Sequence, residues 1–226
     1  RCIFSGDYFG EDIPMRQRKI KNIEERLNDF SALTINDPQH LKGKWKTVFN
    51  NDHPIYLEIG CGKGQFITTY AAKYPQWNFI AIEGHQSVVL RALEKATEME
   101  SSNIKFLLEY IKDIRDYFDR GELAGIFLNF SDPWPKDRHA KRRLTYGKRL
   151  LQYCDVIREG GAIQFKTDNE SLFDFTLDQI ETAGLKILEI SRDLHASEFA
   201  DANITTEYED KFASTGKNIN YVKIRA

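Results

Sequence analysis

The residues best placed to do chemistry lie in Leu57-Glu58-Ile59-Gly60-Cys61-Gly62-Lys63-Gly64-Gln65-Phe66, with Glu83 about one βαβ unit further on. Glycine at every second position lets the backbone turn sharply and lets a ligand approach it closely. The helix expected after the loop starts with free N–H groups. A carboxylate at Glu83, at the end of the next strand, can accept from both hydroxyls of a ribose. Together these features describe a nucleoside cofactor pocket. A dinucleotide fingerprint reads Gly-x-Gly-x-x-Gly and turns a helix dipole towards a pyrophosphate. Here Gly60, Gly62 and Gly64 are spaced Gly-x-Gly-x-Gly, and Glu58 precedes them. A carboxylate at that point repels a pyrophosphate and suits the ammonium of an amino-acid moiety. An NAD oxidoreductase is therefore disfavoured, and a tight βα turn without a ligand is the plain alternative. Cys61 stands near a helix start, which can lower a thiol pKa, but a small packing residue is the simpler reading.

A second chemical region follows the apolar run at 125–130. It reads Ser131-Asp132-Pro133-Trp134-Pro135-Lys136: an acid, two prolines and a tryptophan in a stiff loop. Lys136, Arg138, Lys141, Arg142, Arg143, Lys148 and Arg149 then place seven cations against one acid, Asp137, within fourteen residues. Such a run is an electrostatic footprint for phosphates. Alone it would read as a solvated cationic face; its place beside the cofactor loop favours a polyanion. Arg16, Arg18, Lys19 and Lys21 give a second basic segment. Two further clusters, Phe165-Lys166-Thr167-Asp168-Asn169 and Thr205-Thr206-Glu207-Tyr208-Glu209-Asp210, are expected in loops after strands.

The elements needed to bring these clusters together are visible in the periodicity. Strands are expected at 55–59, 78–83, 104–108, 125–130, 162–167, 185–191 and 218–224, and helices at 65–73, 86–99, 111–118, 146–157 and 169–182. Helices at 20–30 (weakly) and 39–49 precede them, and Gly160-Gly161 is expected to break the chain before the fifth strand. Strict βα alternation means an α/β fold with a doubly wound, mostly parallel sheet. The last two strands have little helix between them, so an antiparallel edge pair is expected. Open sheets of this kind bind ligands beyond the carboxyl ends of their strands, where all four clusters fall.

The 226 residues suffice for one α/β domain, and the net charge of −2 says nothing about partners. Cys2, Cys61 and Cys154 form no CxxC pair and no zinc spacing, which points to a reducing, cytoplasmic setting and no metal. No apolar run is long enough for a membrane span and none reads as a secretory signal. Residues 1–14 do not match the rest of the chain, so Met15 is expected as a natural start, with 15–50 a basic arm and helical extension and 51–226 the catalytic domain.

Glu-x-Gly-x-Gly-x-Gly at Glu58–Gly64 resembles the first motif of S-adenosylmethionine-dependent methyltransferases. With Asn129-Phe130-Ser131-Asp132-Pro133-Trp134-Pro135-Lys136, Arg138-His139-Ala140-Lys141-Arg142-Arg143, Phe165-Lys166-Thr167-Asp168-Asn169 and Thr206-Glu207-Tyr208-Glu209, the chain resembles the bacterial tRNA (guanine-N7)-methyltransferase family from Met15 to its end. The Asp-Pro-Trp-Pro-Lys block is specific; the glycine loop is shared by many methyltransferases. The resemblance implies a seven-stranded class I methyltransferase sheet, S-adenosylmethionine as cofactor, and guanine 46 of the tRNA variable loop as target. It implies that Glu58, Gly60, Gly62, Gly64, Glu83 and Asp132 hold the cofactor and that Asp132 is catalytic. It also implies that Lys136, Arg138, Arg142, Arg143, Asp168, Thr206, Glu207, Tyr208 and Glu209 face the tRNA. The family usually places an acid near the cofactor adenine after the third strand; here the gapless match falls on Tyr110, beside Glu109. Either can take the role. A monomer and a homodimer are both compatible with the sequence.

Guanine N7 carries an in-plane lone pair and no proton, so no general base is required. Positioning is then the main contribution, worth ~7–11 kcal/mol in favourable cases, and a fixed carboxylate at Asp132 can stabilise the positive charge that develops on the purine. The base is expected to leave its stack, since N7 is hard to reach in a deep, narrow groove. Trp134 either stacks on it or anchors the loop. Two rivals remain: a methyltransferase acting on amino groups of nucleobases or proteins, and a tRNA-binding protein without catalysis.

Overall fold

The computed structural model describes residues 20–213 and 216–226. The expected start at Met15, residues 1–14 and most of the basic segment at 16–21 lie outside them. Seven strands, β1 (Ile55–Ile59), β2 (Asn78–Ile82), β3 (Ile104–Leu107), β4 (Leu123–Asn129), β5 (Ile157–Thr167), β6 (Lys186–Ser191) and β7 (Asn220–Arg225), form one sheet in the order β3-β2-β1-β4-β5-β7-β6. The first five are parallel, and β7 inserts antiparallel between β5 and β6. Among the described residues seven α-helices accompany them: α1 (Ile23–Asn28), α2 (Trp45–Phe49), α3 (Gln65–Lys73), α4 (Gln86–Glu98), α5 (Gly147–Val156), α6 (Glu170–Thr182) and α7 (Glu207–Ala213).

The sheet is buried on both faces because its central strands carry largely continuous apolar runs, such as Phe79–Ile82 and Leu123–Leu128, not alternating ones. Ile80 and Ile82 of β2 join Leu57, Ile126, Leu128, Ile163 and Phe165 on one face. Phe79 and Ala81 join Val89, Leu90 and Leu93 of α4 and Ile104 and Phe106 of β3 on the other. Chain order reverses between β1 and β4, and at such a switch point the loops diverge and leave a crevice at the strand ends.

Several boundaries differ from expectation for local reasons. The helix expected at 111–118 is a single 3-10 turn, Ile114–Asp116, which starts late because Asp113 is in an extended backbone and caps it, its side chain accepting from Arg115 N. The segment expected as helix 39–49 is split at Gly43, whose φ is +74°, and the Glu122 carboxylate takes the N–H groups of Gly43 and Trp45. Gly160-Gly161 does not break the chain. It forms an irregularity inside β5, opposite Leu123 and Gly125, where a Cβ on Gly161 would lie 2.6 Å from Ala124 O. The residues of the expected extension pack on the domain: Phe106 exchanges backbone hydrogen bonds with Leu33 and Ile35, Arg26 pairs with Glu94, and Trp45 is buried against Phe118.

Candidate active site

The cradle is built at the ends of β1 and β2. Gly60, Gly62 and Gly64 all have positive φ (79°, 58° and 83°), which glycine alone adopts without cost. A Cβ on Gly60 or Gly62 would meet nothing within 4 Å, so that side of the loop is open; one on Gly64 would lie 2.7 Å from Ala92 Cβ, so this glycine seats α3 on α4. Gly60 and Cys61 both donate their N–H to Ile82 O, tying the loop to the next strand. Glu83 accepts from Gly62 N at 3.2 Å and from His85 N at 2.8 Å.

Glu58 is buried beneath this loop. Its Oε1 accepts from Asn129 Nδ2 at 2.8 Å, while its buried Oε2 has no hydrogen-bond partner among the described residues. Burial pushes its carboxyl up to about 8, against the pull of the Asn129 hydrogen bond and the Lys166 charge. A carboxylate with one oxygen unclaimed is a site waiting for a donor, and an ammonium satisfies it. The donor-seeking Glu58 oxygen beneath an open loop fits the ammonium of an amino-acid moiety such as that of S-adenosylmethionine. Cys61 is a packing residue; burial pushes its thiol well up.

Glu109 and Tyr110 are separated by the direction in which each side chain points. Glu109 accepts from the Tyr117 hydroxyl at 2.8 Å and so is engaged within its own loop. Tyr110 is 69% exposed, its ring lies against Gly84, and its hydroxyl is raised by partial burial and by the charges of Glu83 and Asp132. Tyr110 is thus near enough to both Glu83 and Asp132 to feel their charges.

Asp132 is exposed at the end of β4 in a loop under backbone strain: Phe130 and Trp134 have φ of +49° and +42°. Each such non-glycine conformation costs on the order of 1–3 kcal/mol and survives only where surrounding contacts fix it. Pro135 adds to the strain, because the residue before a proline prefers an extended backbone. The Trp134 ring is half-buried, with the Arg142 guanidinium 4.8 Å from its centroid and His139 edge-on. Lys136, Arg138 and Arg142 are exposed around it, and after partial desolvation the Arg142, Arg138 and Lys136 charges lower the His139 imidazole.

Three residues expected to face the tRNA turn inward instead. Arg143 is 8% exposed, with its donors on loop carbonyls. Glu209 is fully buried: it accepts from Lys166 Nζ at 2.6 Å and Asn203 Nδ2 at 2.6 Å and meets His195 Nε2 at 2.7 Å. The Thr206 hydroxyl accepts from Glu209 N at 2.9 Å, so Thr206 caps α7. The segment is thus a helix where a loop is expected. Thr206-x-x-Glu209 is a helix-start pattern, and it was the available signal for α7. Glu207 pairs with Lys95 of α4 and Asp210 accepts from Gln65 of α3, tying α7 across both helices. Tyr208 remains half-exposed beside Phe130 and Phe212, and Asp168 pairs with Lys217. Lys166 and Asn129, which organise the buried polar network, carry no signal beyond their place in the motifs.

A cavity of about 550 Å³ opens elsewhere, at the amino ends of β1 and β4 beside Pro54, Ile55 and Gly121, and is lined by none of these residues. Among the described residues no cluster of side chains could hold a metal ion, and no helix is long and apolar enough to cross a membrane.

Comparison with known proteins agrees with this geometry. Residues 52–222 match the sequence profile of a family described as "Putative methyltransferase". The chain is 47% identical over 208 residues to the tRNA (guanine-N(7)-)-methyltransferase of Lachnoclostridium phytofermentans, covering 91% of this chain and 96% of that one. It is 44% identical over 209 residues to the protein of the same name from Streptococcus uberis, covering 92% and 99%. Among solved structures, the fold is similar to the 16S rRNA (adenine(1408)-N(1))-methyltransferase of Catenulisporales acidiphilia, with TM-score 0.59 at 14% identity over 86% of this chain and 95% of that one. The 16S rRNA methyltransferase KamB gives TM-score 0.58 at 11% identity, covering 81% and 93%. The glycine cradle, the Asp132 loop and these relationships together place the chain in the S-adenosylmethionine-dependent tRNA (guanine-N7)-methyltransferase family.

Proposed function

We propose that this chain methylates N7 of guanine 46 in the variable loop of tRNA, with S-adenosylmethionine as donor, forming 7-methylguanosine. The observation that carries the proposal is the unclaimed, buried Glu58 oxygen under an open glycine cradle, in a sheet where the neighbouring strand β4 leads into Asp132 and the exposed Lys136, Arg138 and Arg142. When bound, the cofactor supplies an electrophilic sulfonium methyl. Glu58 and Glu83 hold its charged and ribose ends, and Tyr110 lies against the adenine side. The nucleophile arrives without a proton to remove, so the chain's task is to place the base and to meet the positive charge that grows on it. Asp132 is the carboxylate in position for the second task, in the sense of a preorganised group aimed at developing charge. Lys136, Arg138 and Arg142 supply phosphate contacts, which set register without reading sequence. Asp168 and the exposed face of α7 with Tyr208 complete the substrate side.

The test is incubation of unmodified tRNA with methyl-labelled S-adenosylmethionine, followed by nucleoside analysis and mapping of the modified position. 7-Methylguanosine at position 46 supports the proposal. Label on an exocyclic amino group moves the chain to the amino-group class, and cofactor binding without transfer leaves a tRNA-binding protein.

A further inference from the structure

We infer that Arg143 is a positioning residue for this reaction: it clamps the strained loop that carries Asp132 and Trp134, and it takes no part in holding RNA phosphates. The inference rests on the function proposed above. In the basic run at 136–149, the other six cations are exposed or half-exposed; Arg143 is 8% exposed. Its Nε donates to Pro133 O at 3.0 Å and its Nη2 to Trp134 O at 3.0 Å, so one planar fork takes two successive carbonyls. The guanidinium lies 4.2 Å from the Phe175 ring of α6, which fixes the loop to the body of the domain. Its backbone is held as well, with Arg143 N donating to Ala140 O and Arg143 O accepting from Tyr146 N.

The loop needs such a clamp. Positive φ at both Phe130 and Trp134 is unfavourable for these side chains. Pro133 and Pro135 lack N–H groups, so they cannot donate to a turn of the loop's own. The two carbonyls that Arg143 captures flank the Trp134 α-carbon and immediately follow Asp132. A relaxed loop moves both the carboxylate and the ring, and a misplacement of about 1 Å can cost ~10²-fold in rate. Lysine is a poor substitute, since a point charge neither forks across two acceptors nor stacks flat on an aromatic face. Adjacent arginines therefore divide the work: Arg142 lies outside on the Trp134 ring, and Arg143 beneath the loop.

The experiment compares R143K, F175L and R142A with wild type in the full chain. Three quantities are read: the single-turnover rate at saturating tRNA and cofactor, the salt dependence of tRNA affinity, and iodide quenching of the Trp134 fluorescence, isolated by subtraction of W134F. R143K should lose about 10²-fold in rate with tRNA affinity and its salt slope unchanged, and Trp134 should become more accessible to iodide. F175L, which keeps the charge and removes the stacking surface, should lose rate in the same sense at an unchanged slope. R142A should lower the salt slope by up to ~0.9. A reduced slope in R143K, or a wild-type single-turnover rate, overturns the clamp. If wild type itself transfers no methyl group to tRNA, the functional reading fails, and the quenching measurement, which needs no RNA, still decides the clamp: unchanged quenching in R143K refutes it.

Discussion

With Glu58 holding the cofactor's ammonium, as proposed, cofactor binding becomes a proton-release reaction. The Glu58 carboxyl is buried, hydrogen-bonded on one oxygen only, and pushed up to about 8 from the ordinary 4.5. To pair with an ammonium it must ionise. At pH 7 about one-tenth of the population is ionised, so binding bears an ionisation cost of ~1.4 kcal/mol, which is one pKa unit. Affinity for S-adenosylmethionine should therefore rise about tenfold per pH unit below pH ~7.5. It should level near pH 8, where an α-amino group itself begins to lose its proton at about 7.7–8.0. Isothermal titration at pH 6.5 in two buffers of different ionisation enthalpy counts the protons directly, and about one should be released per cofactor bound. Glu58→Gln keeps the shape and removes the titration; it should bind ~10–100-fold more weakly at pH 8, since a hydrogen bond to a charged group contributes ~1.5–3 kcal/mol, with no pH dependence below 7.5. Zero proton release by wild type at pH 6.5, or the same pH profile in Glu58→Gln, would refute the reasoning.

The same group links stability to pH. Its folded pKa lies above its unfolded value, so between about 4.5 and 8 the folded state holds more protons than the unfolded state, and unfolding free energy falls as pH rises. The contribution is fully present below 4.5 and is lost through 8. Glu58→Gln should therefore gain in melting temperature over wild type as pH rises from 6 to 8.5, while it loses in cofactor affinity. That opposition separates a functional carboxylate from a structural one.

Asp132→Asn should reduce the single-turnover rate by ~10²–10³-fold and leave tRNA affinity nearly unchanged; a near wild-type rate leaves Asp132 as a loop residue only. Lys166→Met should destabilise the fold by ~3–5 kcal/mol in chemical denaturation, because it strands the buried Glu209 carboxylate; a change below ~1 kcal/mol would show that the pair is not the tie that holds α7. Gly64→Ala should cost at least ~1–2 kcal/mol, from its left-handed backbone and its close approach to Ala92. Gly60→Ala, left-handed but facing open space, should show its larger effect in cofactor affinity, read by the same titration.

The sheet was legible because its strands are continuous apolar runs set off by loops, and the glycine loop because its positions are locally specified. Elements depart from their local pattern where a side chain distant in sequence overrides it. Glu122 splits the helix expected at 39–49 from across the domain, and nothing near Gly43 announces it. α7 was hidden for a related reason. Glu207-Tyr208-Glu209-Asp210-Lys211-Phe212 has too few apolar residues to read as an amphipathic helix, and it is held by Lys95, Gln65 and Lys166, which are remote in sequence. Arg143 could not be told from its neighbours because charge density is a property of the run, whereas burial is a property of one residue in it. Only the tertiary placement of Phe175 and of two carbonyls separates it from Arg142.

The two halves of the site share one set of buried charges. Lys166, buried and lowered by desolvation, bonds Glu209 and so anchors α7, which carries Tyr208, proposed to face the substrate. The same ammonium is the cation that pulls the Glu58 carboxyl down against burial, on the cofactor side. Glu207, at the start of α7, pushes Glu58 the other way. A helix whose position changes the field at Glu58 changes the free energy at which the cofactor's ammonium is accepted. By linkage, occupation of Glu58 changes the stability of α7 by the same amount. The Asp132 loop joins this network at its start, where Asn129 donates to Glu58, Phe130 N donates to Lys166 O and the Phe130 ring packs on Tyr208 of α7, and Arg143 and Phe175 hold its far side. The clamp from Arg143 therefore acts on the one side of the loop that the Glu58–Lys166–Glu209 network does not reach.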